Sequence, residues 1–241
     1  METRVSEVAS GIYQLSTVVP DAPVAFNQYL IVGDEPALFH TGMRFLFPLV
    51  SEAVGRVLPA ESLRWVSFGH VEADESGSMN DWLAVAPNAT VVQSEIGCMV
   101  SLGDLADRPP RPLSNGEILE IGGHALQWFD TPHVPHAWEA GVLYDATTKT
   151  LLCGDLFTRF GGFEAITSDD IVGPAIEAED LAPGSLSLHP ASATTIRGLA
   201  ELDIETLAPM HCPAFTGDCR QALLDVADDF DRRIVALQHA G

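Results

Sequence analysis

Four side chains that can bind a metal stand close together in the segment His70-Val71-Glu72-Ala73-Asp74-Glu75. Three of them, His70, Glu72 and Asp74, alternate along the chain directly after the short apolar run 65–69. A strand that turns sharply into a helix can aim such alternate side chains at one point. One imidazole combined with carboxylates forms a hard, anionic ligand set, which favours iron or manganese over zinc. The segment therefore predicts a metal site at the end of a strand.

Three later segments carry further candidate ligands, and each follows a stretch with the composition of a strand. They are Asp130-Thr131-Pro132-His133, Gly154-Asp155 and Ala208-Pro209-Met210-His211. Loops at strand ends often carry functional residues, because a rigid sheet holds them in place. We therefore expect these loops to converge on the first segment.

In order and type, these segments resemble the metallo-β-lactamase superfamily, whose metal-binding turn is usually written H-x-H-x-D-H. The H-x-E-x-D form of His70, Glu72 and Asp74 is similar to the turn in the diiron domain of flavodiiron proteins, the oxygen and nitric oxide reductases. The resemblance covers the chain from about Phe26 to about Ala214. It implies an α/β (α+β) fold, the four-layer αββα sandwich of the superfamily.

The resemblance also implies how the ligands are shared between two metals. The expected ligands are His70, Glu72 and His133 at site one, Asp74, Glu75 and His211 at site two, and Asp155 as the bridge. Two divalent cations would balance the four carboxylates of this set, whose burial without cations would be costly.

Three residues of this region have alternative interpretations. Glu75 stands where the family usually has a histidine, and it can equally be an acid that meets the macrodipole at a helix start. His136 follows His133 by three residues and could compete with it as a ligand, but we expect it beside the ligands or in solvent. His40 stands where the superfamily usually has aspartate, and we expect a structural or pocket-lining role.

Strand-rich and helical patterns alternate along the chain, as two face-to-face sheets with outer helices require. Strands are predicted at 5–17, 26–39, 63–68, 90–93, 117–121, 124–129, 141–144, 150–156 and 204–208. Helices are predicted at 46–58, 76–85, 95–102, 168–177, 191–202 and 219–237. No linker or low-complexity stretch divides the sequence, so we expect one domain over residues 1–241.

The composition argues against several classes of protein. The net charge is −22, with 34 acidic and 12 basic residues, so a phosphate backbone would be repelled and no nucleic-acid partner is expected. The N-terminus lacks a secretion signal and the apolar runs are too short to span a bilayer, which predicts a cytoplasmic protein without a membrane partner. The four cysteines form no C-x-x-C pair, and we expect them to be buried and reduced.

The sequence thus leaves two functional hypotheses. The first is a non-haem diiron protein that binds, and in one version reduces, dioxygen or nitric oxide, with two iron ions as cofactor and manganese or zinc as alternatives. No glycine-rich phosphate loop is evident, so no flavin is expected within this chain, and electrons or signals would pass through a separate protein. The alternative is a metal-dependent hydrolase of the metallo-β-lactamase class, with Asp74 as its catalytic carboxylate.

Overall fold

The computed structural model describes residues 1–20, 22 and 24–239, whose strands form two sheets of seven. The first sheet contains β1 (Thr3–Ala9), β2 (Ile12–Val18), β3 (Ala25–Ile31), β4 (Ala37–Phe39), β5 (Trp65–Ser67), β6 (Thr90–Ser94) and β7 (Arg111–Leu113). The second contains β8 (Ile118–Glu120), β9 (Ala125–Asp130), β10 (Gly141–Asp145), β11 (Thr150–Leu152), β12 (Ile166–Thr167), β13 (Thr206–Ala208) and β14 (Ala214–Phe215).

The helices connect these strands and cover the sheets. They are α1 (Phe47–Gly55), α2 (Ala73–Ser76), α3 (Met79–Val85), α4 (Glu95–Gly97), α5 (Gly103–Leu105), α6 (Val172–Leu181), α7 (Ser192–Leu199) and α8 (Cys219–His239). A π-helical turn, Cys98–Leu102, joins α4 to α5.

Strand direction decides where the loops converge. In the first sheet β4, β5 and β6 run parallel, so the residues that follow them lie along the same edge. In the second sheet β11 and β13 are parallel, and β9 runs in the same direction because both β9 and β11 are antiparallel to β10. The backbone N–H of Gly141 donates to the carbonyl of Gly69 at 2.9 Å, which joins the two sheets at this edge.

Three hydrophobic clusters separate four layers. The central cluster packs Tyr29 and Phe39 of the first sheet against Trp128 and Leu143 of the second. A second cluster lies between the first sheet and helices α1 and α3, and a third lies between the second sheet and helices α7 and α8. This arrangement is the αββα sandwich that the sequence predicts.

The terminal helix α8 shows how the apolar pattern produces this layering. Leu223, Val226, Phe230 and Ile234 recur at helical spacing and are buried, the first three of them against the second sheet. Among the residues that the structure describes, no helix is both long enough and apolar enough to cross a membrane.

Candidate metal centre

Four side chains from both sheets converge at the shared edge. His70, Glu72, His136 and Asp155 each place a ligand atom within 4.8 Å of the others. Nε2 of His70 lies 2.9 Å from Oε2 of Glu72 and 3.7 Å from Oδ2 of Asp155. Nε2 of His136 lies 3.0 Å from the same Glu72 oxygen and 3.5 Å from the same Asp155 oxygen. We call these four residues group one.

A second group lies on the other carboxylate oxygen of Asp155. Nε2 of His211 is 3.3 Å from Oδ1 of Asp155 and 3.3 Å from Oδ2 of Asp74. Oδ1 of Asp155 and Oδ1 of Asp74 are buried and have no hydrogen-bond partner. Because a buried carboxylate oxygen without a partner is costly, these atoms fit a bound cation. Asp155 thus faces His70 and His136 with Oδ2 and His211 with Oδ1. We call Asp74 and His211, together with Oδ1 of Asp155, the second group.

Local backbone structure aims each side chain. After β5, the chain turns at Gly69 and enters α2, whose first turn carries Asp74. Gly154 adopts a left-handed φ of 56° directly before Asp155, and its carbonyl accepts from the N–H of Met210 at 2.7 Å. Gln93, in β6, donates to the carbonyls of Gly69 and Glu139, each at 3.2 Å, which ties the loops of both sheets together.

In His136 and His211 the ring nitrogen that points away from the carboxylates, Nδ1, has a partner that orients the ring. Nδ1 of His136 lies 2.8 Å from the carbonyl of Ser185, and Nδ1 of His211 lies 2.8 Å from the carbonyl of Ala25. A carbonyl only accepts, so both Nδ1 atoms carry a proton and both Nε2 atoms point toward the carboxylates, where a metal would replace any proton that they carry. Asn27 donates to the carbonyls of Pro209 and Cys212, which fixes the loop that bears His211.

The structure does not bring His133 into either group. The N–H of His133 donates to the carbonyl of Ala137 at 2.7 Å, and its backbone has a φ of 67°. This tight turn directs the His133 ring onto His189, with ring centroids 4.5 Å apart. His136, which the sequence places beside the ligands or in solvent, occupies group one instead. Sequence spacing does not separate the two, because neither side chain belongs to a helix or strand with a fixed period.

Glu75 also lies apart from the converging ligand atoms. Asp74 and Glu75 are successive residues of α2, so their side chains point about 100° apart. Oε2 of Glu75 accepts from the backbone N–H of His70 at 2.7 Å and lies 3.4 Å from Nδ1 of the same histidine. Oε1 lies 3.3 Å from Nε2 of His40, and both side chains are fully buried. Glu75 therefore binds the backbone of His70, and its Oε1 lies next to His40 without a hydrogen bond between them.

Charges within the cluster shift the proton affinities of its members. Burial alone would lower the pKa of His70, but the carboxylates of Glu75, Glu72 and Asp155 outweigh it and raise that pKa to about 10. Burial acts in the same way on His211, where Asp155 and Asp74 raise the pKa to about 10. Hydrogen bonds from His136 and His70 hold the pKa of Glu72 well below its usual range. Without a cation, protons on the histidines therefore neutralise the carboxylates.

These shifts predict that the stability of metal-free protein falls as the pH rises, whereas the stabilisation due to a bound metal grows. For His70 and His211 the folded-state pKa exceeds the unfolded value of about 6.5, so their stabilisation is complete below pH 6.5. It is lost as the pH rises toward 10. A metal must displace these protons, so its apparent affinity should rise about tenfold per pH unit for each proton released.

Thermal unfolding between pH 6.5 and 9.5, with and without Mn²⁺, measures both trends. We expect the melting temperature to fall with pH in metal-free protein and the increment due to Mn²⁺ to grow. Proton release on Mn²⁺ addition, followed with an indicator dye, provides a direct count. A metal increment that shrinks as the pH rises would contradict the proposed ligand set.

Substitution of Glu75 should separate support of His70 from direct metal binding. Glu75→Ala leaves the buried N–H of His70 unpaired, and we expect it to destabilise metal-free protein by about 1–3 kcal/mol. Affinity at group one should fall roughly tenfold, the scale expected when a partner of a ligand is lost, while two metals still bind at saturation. Urea unfolding and metal titration measure the two effects. Two variants are controls: Glu75→Gln keeps an accepting oxygen, and Glu52→Ala removes an exposed carboxylate. Loss of one metal in both Glu75 variants would show that Glu75 is a metal ligand.

Comparison with known families agrees with this architecture. The profile of the family described as "ODP family beta lactamase" matches residues 24–212, well over half of the chain. The chain belongs to this family. The match includes both ligand groups and the loops that carry them.

Relatives and solved structures extend the likeness. The chain is 26% identical over 149 residues to diflavin flavoprotein A 1 of Synechocystis sp. strain PCC 6803, covering 61% of this chain and 26% of that protein. A relative from Nostoc sp. strain PCC 7120, provisionally given the same name, is 30% identical over 135 residues, which are 55% of this chain and 23% of that one. The chain thus spans about a quarter of the length of these curated relatives.

The fold is also that of solved flavodiiron structures. Rubredoxin oxygen:oxidoreductase of Desulfovibrio gigas superposes with a TM-score of 0.80 at 15% identity, covering 93% of this chain and 62% of that one. The metal-soaked Flv1 flavodiiron core of Synechocystis sp. PCC6803 gives 0.78 at 21% identity, covering 95% and 60%. The sequence-based resemblance to the metallo-β-lactamase superfamily and to flavodiiron proteins, and the αββα fold that it implies, are confirmed.

Proposed function

We propose that this protein is a non-haem diiron protein that binds dioxygen or nitric oxide between the two ligand groups. His70, Glu72 and His136 would hold one iron, Asp74 and His211 the other, and Asp155 would bridge them. His136 replaces His133 in this set, and Glu75 acts behind His70. A bound ferrous pair supplies electrons and open coordination positions for a diatomic ligand.

The position of Asp155 carries the proposal. One of its oxygens lies 3.3 Å from Nε2 of His211, while the other lies 3.5 Å and 3.7 Å from Nε2 of His136 and His70. One carboxylate between two separate histidine sets is the arrangement that holds a metal pair about 3.5–4 Å apart. The unpartnered Oδ1 atom supports the same role.

The donor set favours iron chemistry over hydrolysis. Three carboxylates and three imidazoles form a ligand set of oxygen and nitrogen atoms without a thiolate, which suits iron and manganese. Hydrolysis needs a strong Lewis acid to activate water, and each anionic ligand weakens that acidity.

A pocket of about 500 Å³, including its open mouth, gives access to the candidate centre. Its wall contains Glu72, Asp74 and Asp155 together with His136 and His211. About half of the Glu72 side chain is exposed, whereas those of Asp74 and Asp155 are 13% and 12% exposed. A small ligand can therefore reach the space between the two groups from the Glu72 side.

Anaerobic reconstitution with ferrous iron followed by exposure to air tests the proposal. We expect two irons per chain and a new visible absorption band after air is admitted. A band that persists indicates that the protein holds its ligand. Rapid bleaching on addition of a reductase indicates that it also turns the ligand over with electrons from a separate donor.

The hydrolase alternative predicts a different outcome of the same preparation. A colourless protein that selects zinc from a mixture of metals and cleaves nitrophenyl esters would contradict the diiron proposal. In that case Asp74, 3.3 Å from His211, is the candidate catalytic carboxylate.

A further inference from the structure

A second, apolar cavity adjoins the metal pocket. This apolar chamber has a volume of about 570 Å³, including its open mouth. Its wall combines the turn after β11, helices α6 and α8, and the loop that follows α6. Characteristic lining residues are Leu156, Phe157, Ala178, Leu186, Val226 and Phe230.

The chamber and the metal pocket share part of their walls. Asp155, Thr158, Ser185 and Leu186 line both spaces. The hydroxyl of Thr158 donates to the carbonyl of Asp155 at 2.7 Å, which stabilises the turn between them. A molecule in the chamber therefore lies next to Asp155, the candidate bridge, and is separated from the metal pocket by a single layer of side chains.

The turn at residues 155–158 carries both the candidate bridging residue and part of the chamber wall. Phe157 has a left-handed φ of 65°, which is strained for a bulky side chain. Through this turn Asp155 lines both spaces, whereas Leu156 and Phe157 line the chamber alone. Both spaces therefore depend on the same short segment.

Two of the three carboxylates that line the chamber, Glu179 and Asp229, are bound by other parts of the protein. Glu179 accepts from the N–H of Gly184 at 2.8 Å and from the hydroxyl of Ser185. Asp229 forms ion pairs with Arg232 and Arg233. No lysine, arginine or histidine occurs among the described residues that line the chamber. An anionic ligand would meet only carboxylates and no cationic partner, whereas a small neutral molecule fits beside the apolar side chains.

We propose that the chamber binds a small, neutral, apolar gas molecule and passes it to the metal pocket between Thr158 and Leu186. Apolar cavities stay dry and take up gases such as xenon, so dioxygen or nitric oxide would be concentrated beside the site. The delivery step rests on the proposed function, whereas binding in the chamber does not.

Xenon and a space-filling variant test the two parts separately. Crystals pressurised with xenon should show xenon density in the chamber of the wild-type protein, with or without metal. Ala178, 5% exposed on α6, should block it when changed to phenylalanine. In ferrous protein Ala178→Phe should slow the reaction with dioxygen by at least about tenfold, because the apolar space is filled. Ala175→Phe repeats the test at a less buried position, and the exposed Glu177→Phe is the matched control.

The outcomes distinguish failure of this inference from failure of the proposed function. Absence of xenon from the wild-type chamber would overturn the inference. The inference would also be overturned if Ala178→Phe or Ala175→Phe excluded xenon and kept both metals but reacted with dioxygen at the wild-type rate. Loss of hydrophobic ester cleavage on filling would assign the chamber to an acyl group and overturn it as well. Xenon binding in a ferrous protein that does not react with dioxygen would overturn the proposed function and the delivery step together.

A chain of hydrogen bonds carries a second inference independently of the cavity. Glu179, buried on α6, binds the N–H of Gly184 and the hydroxyl of Ser185. The carbonyl of Ser185 accepts from Nδ1 of His136 at 2.8 Å. The loop that contacts His136 is exposed at residues 181–185, so Glu179 is its buried anchor. We infer that Glu179 is a positioning residue for His136.

Metal titration of Glu179 variants tests this role. Glu179→Leu should lower affinity at group one by about 10–100-fold, the usual effect of losing a partner behind a ligand, and should leave the other group unchanged. With Co²⁺ as the probe, the visible spectrum of group one should shift. Glu179→Gln should restore most of both properties, and the exposed Glu177→Leu should behave as wild type. Unchanged Co²⁺ affinity and spectrum in folded Glu179→Leu would overturn the inference, as would equal weakening of both groups.

Discussion

Asp155→Ala is expected to remove both metals at once. Its two oxygens face different groups, so the variant deprives each metal position of one anionic ligand. Loss of a direct ligand should cost more than the 10–100-fold that removal of an outer partner costs. The remaining histidines and carboxylates would retain each metal at least about 100-fold more weakly. Elemental analysis after gel filtration should therefore find less than one metal per chain.

Two controls separate loss of the bridge from loss of the fold. Asp155→Asn keeps the size of the side chain but removes its charge, and we expect it also to release metal. Asp169→Ala removes an exposed carboxylate beyond β12 and should keep two metals. Retention of two tightly bound metals in folded Asp155→Ala would show that Asp155 is not the bridge.

His136→Ala is expected to halve the metal content. Nε2 of His136 lies within 3.5 Å of Glu72 and Asp155 but belongs to group one alone. Asp74, His211 and the second oxygen of Asp155 keep their arrangement, so the second metal should remain. The expected stoichiometry is therefore one metal per chain, with affinity at group one reduced at least about 100-fold. Iron or manganese titration with elemental analysis measures it.

His133→Ala is the matched control, since it removes an imidazole three residues away in the same loop. The variant loses the stacking on His189, whereas the hydrogen bond from the N–H of this residue to the carbonyl of Ala137 does not involve the side chain. We expect two metals and nearly unchanged affinity. The reverse pattern, with His133→Ala losing a metal and His136→Ala keeping both, would restore the ligand expected from the sequence.

Long elements with a clear period are predicted well by the sequence. The apolar stripe of α8 and the buried strand that leads to His70 are both observed close to their expected places. The helix predicted at 76–85 is instead two helices, α2 and α3, because the chain begins to turn directly after Glu72.

The strands β12 and β14 were not predicted, since two residues are too few to show a period. Strand β7 contains Pro112, which is tolerated there because β7 is an edge strand.

The candidate site is predicted where side-chain direction follows from a regular element. His70, Asp155 and His211 each follow a parallel strand, so their convergence could be expected from the sequence. His136 and His133 lie in a loop whose hydrogen bonds decide which ring faces inward, and no sequence period encodes those bonds. Glu75 was ambiguous because its partner His40 is distant in sequence and meets it only when β4 and β5 pair.

The most direct test of the dinuclear centre is an anomalous-difference map of an iron-loaded crystal. We expect two iron peaks about 3.5–4 Å apart, with the carboxylate of Asp155 between them. The ring of His136 should bind one iron and that of His211 the other, with Glu75 in contact with neither. A single peak, or two peaks that do not share Asp155, would contradict a bridged pair of metals.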